Sequence, residues 1–371
     1  APFSPAFRQG PVAVTGANGY IATHVVRELL GAGFEVRACV RNPGDPAKTE
    51  FLAAMAEEAG CRGRLSFARG DLLEDGSYDA AFAGCAAIVH AAAVVDLSGK
   101  NPGRIIEPSV RGTNNVIASV RKAGTVRRFV HISSVAAILD AGAPTSKAIF
   151  TEEDFNRSSS AETGDPYGYA KRVAEEAVWE AARSESFDAV VLNPSVVIGP
   201  VFCKAHTKAS VSRIRNLVFK RANWIPHLIE FVDVRDIAAA SLVSLTRAPA
   251  AGHRFILSND AGLQLVTDPA SIIDTHFPHL GVGGSLSYIS YRVGANLIMP
   301  LLKALFQVPV LGRLIAPSEF QRGYVVRGGC AFSNLRSKEI LGLEYRSHEE
   351  SVRDSVESML TGGFIKVRPA L

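Results

Sequence analysis

Short apolar runs near residues 11–15, 35–40, 65–68, 86–90, 128–134 and 189–192 alternate with stretches of helical period near 20–31, 47–59, 107–123 and 166–184. In the first of these helices Ile21, Val25, Val26, Leu29 and Leu30 fall on one face, and Gly31 and Gly33 suit its stop. Strand and helix alternating at this interval predict an α/β fold, a Rossmann-type doubly wound parallel sheet with right-handed crossovers. Residues 1–10 read as an irregular arm, and 193–200, with two prolines and Gly199, as a loop leaving the sheet edge. Beyond residue 200 the alternation stops. The run Phe231-Val232-Asp233-Val234-Arg235-Asp236 leads into an alanine-rich helix, and 253–258 is extended. The expected division is therefore 1–199 for the Rossmann domain and 200–371 for a smaller α+β lobe over the substrate, with strand and helix exchange between them.

Composition narrows the class. With 371 residues, 47% of them hydrophobic, the chain can bury a sizeable core, and it reads as a soluble globular protein. Lys and Arg exceed Asp and Glu by only 40 to 36 and are scattered, so no nucleic-acid surface is expected. The five cysteines are far apart and never spaced as a metal or redox pair, which favours a reducing compartment. No basic-then-apolar leader follows Ala1, so a signal peptide is expected to be absent or already removed. A cytoplasmic location is the first expectation, and an organelle stroma or matrix after loss of a targeting peptide the alternative.

Candidate chemistry starts at 12–22, VAVTGANGYIA, a strand, a glycine turn and a helix start. Gly16 suits the tight turn, Gly19 lets backbone N–H groups approach a pyrophosphate at the positive helix end, and the third small position is Ala22. Arg41 follows the second strand where an acidic residue would hold the ribose of NAD; a guanidinium there favours the 2′-phosphate of NADP, or is simply solvated. Asp71 and Leu72 suit an adenine, the carboxylate accepting from its amino group and the leucine packing on the ring, although Asp71 also suits a helix N-cap. After His90, the small Ala91 and Ala92 leave room for a nicotinamide ribose. Ser133 and Ser134 end a strand at the edge that faces the ligand crevice. Tyr167 and Lys171, four residues apart, share a helix face. Together these groups suit carbonyl reduction: Tyr167 donates a proton to the substrate oxygen, the Lys171 ammonium stabilises the phenolate, and a serine hydroxyl orients the carbonyl.

Other residues carry less. His276 and His279 lack clustered Cys or acidic partners, so no metal site is expected. Trp179 reads as core, and Trp224 as packing or as lining the substrate side. The apolar stretch 286–317 is interrupted by Pro300 and Pro309 and is too broken to span a bilayer. It suits a substrate lid, an interfacial membrane contact, a docking face for a protein subunit, or plain burial.

The motifs TGANGYIATHVV, VRNP, GDLLEDGSYDAAF, GTNNV, RFVHISS, YGYAK, LNPSVVIGP and FVDVRDIA, in that order, resemble the extended short-chain dehydrogenase/reductases. The resemblance is strongest to the dihydroflavonol reductase, cinnamoyl-CoA reductase and fungal aldehyde reductase group, and it covers nearly the whole chain. It implies Ser134 as the catalytic serine, with Ser133 a substitute, Tyr167 as acid and Lys171 on the nicotinamide ribose. It further implies Gly16, Asn18, Gly19, Tyr20 and Ile21 at the diphosphate, Arg41 at the 2′-phosphate, Asp71 and Leu72 at the adenine, and Pro194 and Val197 as the nicotinamide wall. Ala22 departs from the family's third glycine; Tyr169, whose fourth following residue is Val173, cannot replace the Tyr167–Lys171 pair. The function implied is NADPH-dependent reduction of a ketone or aldehyde on a hydrophobic small molecule, by a monomer or a homodimer. The apolar 286–317 stretch resembles the 3β-hydroxysteroid dehydrogenase branch and keeps a sterol substrate open. A non-catalytic, nucleotide-binding structural subunit of a larger organellar complex is the alternative from a different class.

Overall fold

The computed structural model describes residues 10–93, 103–140, 147, 149–163, 165–220, 228–259, 263–264, 267–283, 301, 304–305, 308 and 331–366. In chain order the first half holds β1 (Val12–Thr15), α1 (Tyr20–Gly31), β2 (Val36–Val40), α2 (Pro46–Glu58), β3 (Leu65–Arg69), α3 (Asp79–Phe82), β4 (Ala87–His90), α4 (Gly103–Ala123), β5 (Arg128–Ile132), β6 (Ile149–Phe150), α5 (Pro166–Ser184) and β7 (Asp188–Pro194). The second half holds β8 (Val196–Ile198), α6 (Ser212–Val218), β9 (Leu228–Ile229), β10 (Phe231–Asp233), α7 (Val234–Thr246), β11 (Arg254–Leu257), β12 (Leu263–Gln264), α8 (Thr267–His276), β13 (Ala331–Phe332) and a last helix, His348–Thr361.

Seven parallel strands form one sheet in the order β11-β7-β5-β4-β1-β2-β3. This is the expected doubly wound architecture, and its order reverses between β1 and β4. The period-2 alternation of each strand feeds two apolar layers. Val12, Val14, Val130 and Val190 pack under α1, α2 and α7, while Ala13, Ile88, Phe129 and Ala189 pack under α3, α4 and α5. The return of the chain matters here: α7 lies against α1, and β11 completes the sheet beside β7. A third core joins Ile214 and Leu217 of α6, Ile273 of α8, and Val352, Val356 and Met359 of the last helix. That helix is clipped on by Arg235, whose guanidinium reaches Asp233 at 2.8 Å and Asp354 at 2.7 Å.

Two local expectations are corrected. Residues 193–200 are not a loop: β7 continues to Pro194, and Val196–Ile198 forms β8, parallel to β10. Its β-branched residues pair with Phe231, Val232 and Asp233, and Gly199, at φ 130°, ends the strand. The helix expected from 107 begins a turn earlier, at Gly103, and takes Pro108 into its interior at the loss of one backbone donor. Among the described residues no helix is long and apolar enough to cross a membrane. Of the stretch 286–317 only residues 301, 304, 305 and 308 are described, with Leu301 and Val308 exposed; the rest of it, like Trp224, lies outside the described residues.

Leu29 has no exposed surface and packs in the layer shared by α1 and the sheet. Leu29→Ala is expected to lower the free energy of unfolding by about 2–5 kcal/mol, read from the midpoint of a denaturant titration.

Candidate active site

A parallel sheet brings the C-terminal ends of all its strands to one edge, and the order β1-β4-β5-β7 sets Gly16, Ala91, Ser134 and Pro194 side by side there. At β1, Gly16 takes φ 62°, and a Cβ at this position would come within 2.9 Å of the Ala92 backbone. No side chain could sit between these two loops. Gly19 then starts α1 without a side-chain cap and with no acidic residue in the first turn. Its N-terminal N–H groups are thus presented to an anion, which fits the diphosphate of a dinucleotide. Asn18 and Tyr20 belong to the same turn but are held by the segment that follows β8. The Asn18 carbonyl contacts His206 Nε2 at 3.2 Å, and the Tyr20 hydroxyl donates to the Gly199 carbonyl at 2.8 Å. Ile21 is half-buried against the main core.

The position of Ala91 and Ala92 follows from a chain of buried hydrogen bonds. Thr15 Oγ1 accepts from the Ala91 and Ala92 amides at 3.2 and 3.1 Å, so its own proton goes to His90 Nδ1 at 2.8 Å. His90 then carries its proton on Nε2 and donates to Thr113 Oγ1 at 3.3 Å, which donates to the Ser109 carbonyl at 2.8 Å. Burial lowers the His90 pKa to about 3, so the imidazole is neutral. These two residues escaped the sequence reading, where His90 served only to mark the end of a strand.

Arg41 directly follows β2 and is exposed to solvent. Asp71 caps a turn and not a helix, accepting from the Leu73 amide at 3.0 Å. Leu72 packs under α4, where a Cβ on Gly112 would lie 2.8 Å from it, and its carbonyl accepts from Asn115 at 2.8 Å.

The candidate groups come together as the spacing predicts. The Ser134 side chain lies close enough to Tyr167 to act on its phenol, and Lys171 Nζ lies 6.0 Å from the centre of the Tyr167 ring. Lys171 Nζ also donates to the Ile132 carbonyl at 3.3 Å. Desolvation raises the Tyr167 pKa, against a lowering pull from Ser134, and lowers that of Lys171 to about 8. Ser133 is committed elsewhere: its hydroxyl is buried and donates to Glu175 Oε2 at 2.7 Å, leaving Ser134 as the serine that meets the tyrosine. The start of α5 is shaped by Asp165, which accepts from the Gly168 amide at 2.9 Å. A Cβ on Gly168 would fall 2.0 Å from that carboxylate, so the glycine between the two tyrosines is needed to seat Tyr167. Pro194 is buried at the end of β7, and Val197 is buried in the main core.

Tyr169 stacks on the Arg172 guanidinium at 5.2 Å, outside the triad. Trp179, read as core, packs half-buried against the layer under α3, α4 and α5, and its indole N–H donates to Glu175 Oε1 at 3.3 Å. His276 pairs with Glu349 at 2.8 Å, and among the described residues no cluster of side chains suits a metal ion.

Burial also holds His24 neutral, with its pKa lowered to about 3. Both histidines take up their proton near pH 6.5 when unfolded but resist it in the fold, so their stabilisation is complete above about 6.5 and is lost towards about 3. The free energy of unfolding is expected to fall by up to about 1.4 kcal/mol per pH unit for each such proton. Replacement of one of them, in His90→Asn, is expected to make that fall shallower by about one proton in denaturant titrations between pH 7 and 4.

Comparison with known proteins agrees with this geometry. The family model described as the NAD dependent epimerase/dehydratase family matches residues 12–257. Cinnamoyl-CoA reductase CAD2 of Medicago truncatula is 34% identical over 257 residues, 67% of this chain and 76% of that protein. Dihydroflavonol 4-reductase of Hordeum vulgare is 32% identical over 256 residues, 68% of this chain and 71% of that protein. The yeast methylglyoxal/isovaleraldehyde reductase Gre2, solved with NADPH, superposes with a TM-score of 0.73 at 25% identity, covering 96% of this chain and 100% of that one. The chain belongs to the NAD dependent epimerase/dehydratase family and, within it, to the extended short-chain dehydrogenase/reductases.

Proposed function

We propose that this oxidoreductase reduces the carbonyl group of a hydrophobic ketone or aldehyde with NADPH, using Tyr167 as the general acid. The observation that carries the reading is the grouping of Ser134, Tyr167 and, one helical turn on, Lys171 with its ammonium 6.0 Å from the Tyr167 ring, at the sheet edge that also bears the glycine turn. The names of the relatives, cinnamoyl-CoA, dihydroflavonol and methylglyoxal/isovaleraldehyde reductases, support carbonyl substrates of this class. NADPH fits the residues present: the Gly16–Gly19 turn and the start of α1 would hold the diphosphate, Arg41 the 2′-phosphate, and Ala91, Ala92 and Pro194 the nicotinamide end. When bound, it supplies the hydride to the carbonyl carbon.

The remaining steps belong to this chain. As negative charge grows on the substrate oxygen, Ser134 orients it and Tyr167 transfers its phenolic proton to it. A phenol is a weak acid, and burial makes it weaker still, so it keeps its proton at neutral pH until the oxygen becomes basic. The phenolate that remains is stabilised by the Ser134 hydroxyl and by the Lys171 ammonium. That ammonium is lost as pH rises through about 8.

Three outcomes are expected in assays of NADPH oxidation with aromatic aldehydes, flavonoid-like ketones and ketosteroids. Tyr167→Phe lowers kcat by a factor of about 10² to 10⁴ while NADPH still binds. Turnover by the unaltered chain declines above about pH 8, following Lys171. Arg41→Ala weakens NADPH more than NADH, by about tenfold for the loss of one exposed phosphate contact. Tight NADPH binding without turnover on any substrate would overturn the reductase reading in favour of a structural nucleotide-binding subunit.

A further inference from the structure

Glu175 sits on α5 one turn beyond Lys171, and its side chain has no exposed surface. Groups from four elements converge on it. Oε2 accepts from Ser133 at the end of β5 at 2.7 Å and from Asn193 Nδ2 of β7 at 3.0 Å. Oε1 accepts from Trp179 of α5 at 3.3 Å and pairs with Arg254 Nε of β11 at 2.6 Å. The same Asn193 amide donates to the Ser134 carbonyl at 3.1 Å, so a two-step path of hydrogen bonds leads from the buried carboxylate to the backbone of the serine that meets Tyr167.

Packing does not account for this group. A buried ion pair is commonly no more stabilising than an apolar side chain of the same size, and α5 otherwise buries Ala174, Val178 and Ala181. What the carboxylate does have is a position next to Lys171. The ionisable groups facing that ammonium are Tyr167 and Glu175 on its own helix, His131 on β5 and His90 on β4, with Arg254 of β11 beyond Glu175. Both histidines are held neutral by burial, so Glu175 is the anion that offsets the desolvation of Lys171.

We propose that Glu175 is a positioning residue for the Ser134–Tyr167–Lys171 group: its buried carboxylate keeps the Lys171 ammonium charged and, through Asn193, fixes the Ser134 backbone at the sheet edge. The proposal rests on the reductase reading for its consequence in turnover, but the electrostatic coupling stands on the protein alone and is tested without nucleotide.

The test is an NMR titration of ¹³Cε-labelled lysines in the nucleotide-free full chain, with the Lys171 resonance assigned by its disappearance in Lys171→Arg. In Glu175→Gln, which keeps an acceptor of the same shape, the Lys171 midpoint is expected to fall by about one pH unit. Glu175→Asp should return it most of the way. Arg254→Gln, which releases Glu175 from its cation, should move it upward, and opposite shifts from two buried polar replacements are not produced by loosened packing. The decline of kcat with pH should follow the same displacements, with KM for the carbonyl substrate changed less than kcat. A Lys171 midpoint equal to that of the unaltered chain in folded Glu175→Gln, or in Arg254→Gln if the first variant does not fold, overturns the proposal. Loss of turnover in the unaltered chain would instead count against the reductase reading and leave the titration to decide the coupling.

Discussion

A single buried carboxylate ties together the three strands at one side of this sheet. Parallel strands are joined laterally by backbone hydrogen bonds, but at their C-terminal edge the ladder ends and each strand turns into a loop of its own. Glu175 adds a side-chain tie across that ladder, gathering Ser133 just past β5, Asn193 near the end of β7 and Arg254 at the start of β11 onto one residue of α5. Arg254 extends the tie outward, donating to the Glu152 and Asp154 carbonyls at 3.2 and 2.6 Å and lying 4.5 Å from the centre of the Phe155 ring. The segment before α5 is thereby anchored to the sheet, and with it Asp165, whose cap sets where the helix carrying Tyr167 begins.

The other side of the crevice is built on a different logic. There the cofactor turn depends on the absence of a side chain at Gly16 and a small one at Ala92, and on the neutral His90 that holds Thr15 beneath them. One half of the site is thus a rigid polar tie and the other a close backbone approach. They meet because β1, β4 and β5 are neighbours in the sheet.

How much of this was legible depended on whether the information was local. Strand, glycine turn and helix follow one another within residues 12–31, and Tyr167 and Lys171 are one turn apart, so their period and spacing place them without tertiary knowledge. The end of an apolar strand offers both Ser133 and Ser134; the family resemblance favours Ser134, and the Ser133 hydroxyl taken by Glu175 gives the physical reason. Glu175 itself had a signal, an acidic residue on the buried stripe of an amphipathic helix four positions after the lysine, yet only its partners from β7 and β11 give it meaning. Residues 193–200 misled because Pro194, Gly199 and Pro200 read as breakers, whereas the partner strand for Val196–Ile198 lies at Phe231–Asp233. Pairings across such distances, like that of Ile149 and Phe150 with Ala331 and Phe332, leave no trace in local periodicity.

The return of α7 and β11 to the sheet has a consequence for how the chain is made. A ribosome that has released only the first 200 residues has delivered six of the seven strands, but neither the helix that covers α1 nor the strand that covers the edge of β7. Until residue 257 emerges, the apolar layer that receives Ile237 and Leu245 stands open to water and the outer backbone of β7 is an unpaired edge. The glycine turn and the first strands can therefore form early in synthesis, while the tie at Glu175, which needs Arg254, closes only after β11 has emerged. Truncation before β11 leaves a nascent chain with a nearly complete sheet and a sticky flank, the form in which this fold is most exposed to association with other chains and most dependent on chaperones.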